Sequence, residues 1–160
     1  MVQEELHIGH LRRALALATE NAVAGKGGPF GAVIALGSEV ITEGVNRVSA
    51  ELDPTAHAEI SAIRQACRKL GRFSLHGCTI YSSCEPCPMC LAAIYWAHLD
   101  GLYFAAGRED AAQAGFDDSF LYAQIPLAVA ERSLPTTQFL ADEGQYPFAE
   151  WLKRPDRVHY

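Results

Sequence analysis

Two short motifs constrain this chain more than any other feature: His57-Ala58-Glu59 and, further along, Pro86-Cys87-Pro88-Met89-Cys90. Cys87 and Cys90 are three apart, so at the start of a helix both sulfurs project from one face of a single turn. That end of a helix carries the positive pole of the backbone dipole, which lowers a thiol's pKa and favours the thiolate that a metal needs. His57, opening a second helix, supplies a third donor. Two soft sulfurs and an imidazole suit zinc better than magnesium or calcium. The two thiolates cancel the ion's charge, so a water activated there needs a nearby base. Glu59, two residues from His57, is placed to accept a proton from water and pass it to a substrate nitrogen. The alternative is a closed structural zinc knot with Cys84 as fourth ligand. An acid–base carboxylate beside the metal favours the open, catalytic arrangement.

The remaining composition agrees. Five cysteines, an odd number, argue against a disulfide framework, and Cys67 and Cys78 read as small core residues. A net charge of −6 and a pI near 5.4 argue against a polyphosphate partner, since the Lys and Arg are scattered, with a dense cluster at Lys153, Arg154 and Arg157 near the end. No apolar run is long enough to span a bilayer, and the acidic N-terminus lacks the order of a signal peptide. The expectation is a cytoplasmic protein acting on a small molecule, with no nucleic-acid or membrane partner.

Hydrophobic periodicity predicts a first helix over about His7–Ala24, with Leu11, Leu15, Ala18 and Ala22 as its apolar stripe. A β-hairpin follows, Gly31–Leu36 and about Val40–Val45, turning at Gly37-Ser38. A helix starting after Asp53-Pro54-Thr55 has Ile60, Ile63, Ala66, Cys67 and Leu70 as its stripe and Gly71 as C-cap. Then come a strand Cys78–Ser82, a helix after Pro86 running to Trp96, a strand Leu102–Ala105 and a short helix Asp110–Ala114. A last strand near Thr137–Leu140 and a helix near Phe148–Arg154 end the chain. The order implies an α/β fold of three α-β-α layers around a mixed sheet of about five strands, in one domain spanning 1–160.

Beyond the motifs, the chain resembles the cytidine-deaminase superfamily over nearly its whole length, and within it the bacterial-type guanine deaminases. The stretches that carry the resemblance are Gly27-Gly-Pro-Phe-Gly-Ala-Val-Ile34, Asp53-Pro-Thr-Ala-His-Ala-Glu59, Ser83-Cys-Glu-Pro-Cys-Pro-Met-Cys90, Gly115-Phe-Asp-Asp-Ser119 and the terminal Tyr160. His57-Ala-Glu59 with Pro86-Cys-Pro-Met-Cys90 is also the general zinc nucleobase-deaminase signature. The resemblance implies the fold just described, one zinc per subunit on His57, Cys87 and Cys90, and Glu59 as proton shuttle. The implied reaction is hydrolytic deamination of guanine to xanthine and ammonia, in purine salvage or catabolism.

The same resemblance assigns Asn46 a hydrogen bond to the purine and Asp118 a second proton relay. It makes the backbone of Ala58 and Cys87 a contact for the base and the zinc oxyanion. Phe30 and Trp96, aromatic and near the motif elements, are further candidates for substrate binding. It further implies a homodimer with exchanged C-terminal segments, in which residues 155–160 cap a neighbour's site and Tyr160 covers the base. Each assignment has a plainer counterpart: a turn residue at Asn46, a helix cap at Asp118, core packing for Phe30 and Trp96, a frayed end at Tyr160. Other substrates remain open: guanosine, cytosine, an aminotriazine or tRNA adenosine. A non-catalytic zinc scaffold is the alternative of another class.

Overall fold

The computed structural model describes residues 2–160. Backbone proximity divides the chain into two compact units, Met1–Asp118 and Ser119–Tyr160. In the first, α1 (Val2–Val23) leads to the hairpin β1 (Gly31–Leu36) and β2 (Glu39–Val45), then to a single turn α2 (Val48–Glu51) and α3 (Ala58–Leu70). β3 (Cys78–Cys84), α4 (Pro88–Trp96), β4 (Gly101–Ala106) and α5 (Arg108–Gln113) complete it. The sheet order is β2-β1-β3-β4. β1 is antiparallel to both β2 and β3, whereas β3 and β4 are parallel and joined through α4.

Alternation along β3 builds the layers, because successive side chains leave opposite faces of a strand. Tyr81 turns to the α1 side and packs with Ala14, Leu17, Val33 and Ala35. Ile80 turns the other way, into a core with Ala58, Ala62, Ala66 and Ile94 from α3 and α4. The result is the expected α-β-α sandwich with a mixed sheet.

The sheet differs from expectation in having four strands. No strand forms at Thr137–Leu140. Leu140 adopts φ 55°, a left-handed conformation that ends an extended run, and its carbonyl accepts the Gly144 N–H at 2.8 Å to start a turn. Upstream, Pro135 has no N–H to give a ladder, and the Thr136 hydroxyl donates to the Leu134 carbonyl at 2.8 Å.

Two helical faces are also rotated from their expected stripes. On α1 the buried positions are His10, Ala14, Leu17, Ala18 and Asn21, while Leu15 is exposed. On α3 they are Ala58, Glu59, Ala62 and Ala66, with Ile60, Ile63, Cys67 and Leu70 only partly buried. Small residues take the deepest places on α3 because the helix lies almost on the β2 backbone. A Cβ at Gly44 would stand 2.3 Å from the Ala58 carbonyl oxygen and 2.7 Å from the Ala62 nitrogen.

The second unit holds α6 (Ser119–Gln124), two 3-10 turns (Val129–Glu131 and Glu143–Gln145) and α7 (Tyr146–Lys153). None of its residues is buried, and Phe120, Phe139, Leu140, Phe148, Leu152 and Tyr160 are all largely exposed. Among the described residues, no helix is long and apolar enough to cross a membrane.

Candidate active site

Two helix starts carry the donors. His57 is the N-cap of α3 and Cys87 the N-cap of α4, both with extended backbone and neither with a side-chain capping hydrogen bond. Ser, Thr, Asp or Asn would normally spend its side chain on the helix N–H groups there. His57 and Cys87 leave theirs free. Pro88 in the first turn of α4 fixes the backbone without needing a donor.

The His57 Nδ1 lies 3.6 Å from Cys87 Sγ and 3.4 Å from Cys90 Sγ. All three ligand atoms lie within 4.8 Å of one another. A nitrogen and a sulfur bound to one tetrahedral zinc, at about 2.0 and 2.3 Å, stand roughly 3.5 Å apart. Distances and donor chemistry therefore fit zinc. Cys84 stands outside the trio, its thiol directed to the Gly107 carbonyl at 3.5 Å, so the closed four-ligand knot is not built. All five cysteines are free thiols.

Electrostatics favour a cation here. Hydrogen bonding from Cys90 draws the Cys87 thiol down to about 4, against its burial and with help from His57. Cys90 is pushed up by its contact with Cys87, by burial and by the nearby Glu59. A dication is the partner that lets both sulfurs ionise. Contact with Cys87 also raises the His57 imidazole, with burial opposing.

Glu59 is 5% exposed, and burial lifts its carboxyl above the ordinary range, as a group that must both take and give a proton requires. Its two oxygens are differently engaged. Oε1 accepts the Ser82 hydroxyl at 3.1 Å, and Oε2 accepts the Cys90 thiol at 3.4 Å. Ala58, buried beside it, heads α3, where backbone N–H groups have no intrahelical acceptor.

Asn46 closes the end of β2 and is 7% exposed. Its Oδ1 accepts two backbone N–H groups, from Gly28 at 3.2 Å and Val48 at 3.3 Å. This fixes the orientation of the amide: the oxygen faces the N–H groups, and the Nδ2 donor is left over. Asn21 in α1 ties the same loop, donating from Nδ2 to the carbonyls of Gly28 and Asn46, each at 2.9 Å. Phe30, next in the loop, packs edge-on against Phe116 with ring centres 4.9 Å apart and borders the core.

Asp118 is half-buried at the end of the first unit. Burial and the charge of Cys87 raise its carboxyl, with Arg108 opposing. Trp96, by contrast, ends α4 and is 64% exposed, roughly 13 Å along the helix from Cys87 at 1.5 Å per residue. The structure does not bring it to the donors, because the ligands occupy the other end of the helix. Tyr160 belongs to the second unit, where it, Phe148, Trp151 and Val158 help line a concavity of about 360 Å³.

Asn21 and Ser82 were missed from the sequence. Asn21 stands at a buried stripe position of α1, and Ser82 within an apolar strand. Both are polar residues where a core residue belongs, which is the available signal.

Residues 4–106 match the zinc-binding region of cytidine and deoxycytidylate deaminases. The chain is 49% identical to the guanine deaminase of Bacillus subtilis over 96% of its own length and 99% of that protein's. The X-ray structure of that enzyme superposes with a TM-score of 0.94 over 96% of this chain and 98% of the other. A tRNA-specific adenosine deaminase of Agrobacterium fabrum is 47% identical, but over 49% of this chain and 51% of that protein. The guanine deaminase of Nitrosomonas europaea is 34% identical, with a TM-score of 0.64 over 68% of this chain and 63% of the other. The chain belongs to the cytidine and deoxycytidylate deaminase family and carries its zinc-binding region.

Proposed function

We propose that this protein hydrolyses guanine to xanthine and ammonia, with zinc held by His57, Cys87 and Cys90. The observation that carries the proposal is a buried carboxylate, Glu59, hydrogen-bonded 3.4 Å from one of the three zinc donors. Likeness to a guanine deaminase over nearly the whole chain supports the substrate, whereas likeness to the Agrobacterium adenosine deaminase stops at about half of it.

Zinc supplies the Lewis acidity that makes a water nucleophilic near neutral pH. Glu59 accepts a proton from that water as its oxygen attacks C2, the carbon bearing the exocyclic amine. The same carboxyl then protonates ring N3, giving a tetrahedral carbon. The second proton of the water, now on the C2 hydroxyl, is taken up by Glu59 and delivered to the amine by Glu59 or through Asp118, so that C2=O forms as the C2–N bond breaks and ammonia leaves. Asn46 presents its Nδ2 donor to an acceptor of the purine, and the N–H at Ala58 adds another. Phe30 lends an apolar wall to the substrate loop.

We infer further that the protein works as a homodimer in which Ser119–Tyr160 docks on the neighbouring copy. The absence of any buried residue in that unit supports this, since so many exposed aromatic and aliphatic side chains call for a covering surface. Residues 155–160 then cap the neighbour's site and Tyr160 covers the base, closing the pocket to a ribose.

Ammonia release by the zinc-loaded protein from guanine, guanosine, cytosine, cytidine, adenine and ammeline tests the assignment. Strong turnover of guanine, little of guanosine, and loss of both in Glu59→Gln are expected. Preferred turnover of guanosine or a pyrimidine would discard the roles given to Asn46, Asp118 and Tyr160.

A further inference from the structure

We propose that Ser82 is a positioning residue for Glu59: its hydroxyl holds Oε1 from the floor of the site and so turns Oε2 toward the zinc donors. This rests on the deamination proposed above.

Ser82 is 2% exposed and lies within β3, paired with Ala32 of β1 on one side and Phe104 of β4 on the other. A backbone held from both sides leaves the side chain one free torsion, and that torsion points the hydroxyl at Glu59 Oε1, 3.1 Å away. The strand's alternation places Ser82 on the α3 face, between Ile80 and Cys84. An apolar residue fits that face equally well, so a hydroxyl there needs a reason.

The second contact to the carboxylate is different in kind. Cys90 donates its thiol proton to Oε2 at 3.4 Å. A cysteine that ligates zinc has given up that proton and donates nothing. Ser82 is then the side-chain donor that Glu59 keeps among the described residues. Without it, a carboxylate on two methylenes can turn either oxygen, or neither, toward the reacting water. The penalty falls on the chemical step and not on binding, because Ser82 is 2% exposed and its hydroxyl is spent on Glu59.

Ser82→Thr and Ser82→Val decide the matter, since the two have nearly the same shape and differ by the hydroxyl. Wild-type ammonia release from guanine is measured first. If it is absent, the deamination reading and this inference both fall. With it present, Ser82→Val should lower kcat roughly 10–100-fold, the usual effect of removing a group that orients the reacting residues of a metal site. KM for guanine, the dissociation constant for 8-azaguanine and zinc stoichiometry should stay within about threefold of wild type. Ser82→Thr should retain kcat within about threefold. In a Glu59→Gln background, Ser82→Val should change the residual rate less than twofold, because Ser82 acts through the carboxylate. Equal kcat in the Thr and Val variants, zinc loss confined to Val, or an undiminished effect in the Glu59→Gln background would overturn the proposal.

Discussion

Gly44→Ala should damage stability and catalysis together, because one backbone contact serves both. The added methyl would meet the Ala58 carbonyl oxygen at 2.3 Å and the Ala62 nitrogen at 2.7 Å, roughly 1 Å short of ordinary contact. Both blocking atoms are backbone, so no side-chain rotation relieves the clash, and α3 must move off β2. Overpacking of this kind costs about 1–3 kcal/mol, occasionally more. For a chain of this size that lowers Tm by about 3–10 °C. α3 carries His57 at its cap and Glu59 in its first turn, so the displacement reaches the chemistry. A misplacement of about 1 Å can cost on the order of 100-fold in rate. Thermal unfolding and guanine turnover of the zinc-loaded variant measure the two effects. Gly71→Ala is the control: it has φ 65° but nothing within 4 Å, so it should cost about 1–2 kcal/mol of backbone strain and leave kcat unchanged. Ala62→Gly should not rescue Gly44→Ala. A Gly44→Ala protein with wild-type Tm would refute the close approach, and one with lowered Tm but full kcat would refute the coupling of the α3 seat to Glu59.

The two sides of Asn46 can be separated. Asn46→Ala strands the Gly28 and Val48 N–H groups at about 1–3 kcal/mol each, whereas Asn46→Asp keeps their acceptor. Thermal midpoints should therefore fall more for Ala, while both variants lose at least about 1000-fold in kcat/KM for guanine. Acid stability should depend on Glu43, whose carboxyl the Arg13 guanidinium holds below its usual value through paired hydrogen bonds of 2.7 Å, with burial opposing. Since the folded pKa lies below the unfolded value near 4.5, this contribution is complete at neutral pH and is lost as pH falls through the folded pKa. Glu43→Gln should flatten the dependence of Tm on pH below about 5 in a thermal-unfolding series. Removing residues 155–160 should lower guanine turnover and raise guanosine turnover relative to it, read by ammonia release.

What the sequence revealed and what it hid follow from the range of the forces involved. The zinc donors were legible because each is a local matter: Pro88 opens α4, Gly71 closes α3, and His57 and Cys87 stand where a helix begins. The hairpin was legible from Gly37-Ser38 between two apolar runs. The fifth strand was misread because Thr137–Leu140 has the composition of a strand, while the left-handed turn at Leu140 is not written in residue type. The α3 face was misread for a similar reason. Large apolar residues mark a stripe when helices pack at ordinary distance, but the missing Cβ at Gly44 draws the helix close and gives the deepest places to alanine. Ser82 and Asn21 were invisible as partners because each meets its target across a large sequence separation, Ser82 to Glu59 and Asn21 to Asn46.

Placing both donor sets at helix starts has a cost and a return. The positive ends of α3 and α4 disfavour a cation, so a neutral ligand set would bind it poorly there. Thiolates reverse the balance: the same ends favour them, and the two anions then draw the metal in. Cys87 is drawn down chiefly by the Cys90 side chain, with the backbone N–H of Cys90 in the first turn of α4 adding to it. The return comes in the reaction. In the reaction proposed above, negative charge develops at the substrate as water attacks, and the N–H groups heading α3, which lack intrahelical acceptors, are available to meet it. Glu59 needs the opposite treatment, since a carboxylate fully stabilised by the helix end would not take a proton up. Its burial against β3 raises its affinity for the proton, and the raised carboxyl is the outcome. On the proposed mechanism the site assigns dipoles to the sulfurs and the transition state, and desolvation to Glu59 as the shuttle. A solvated Glu59 would be a weaker base, so the burial that lifts its carboxyl is also what suits it to accept a proton.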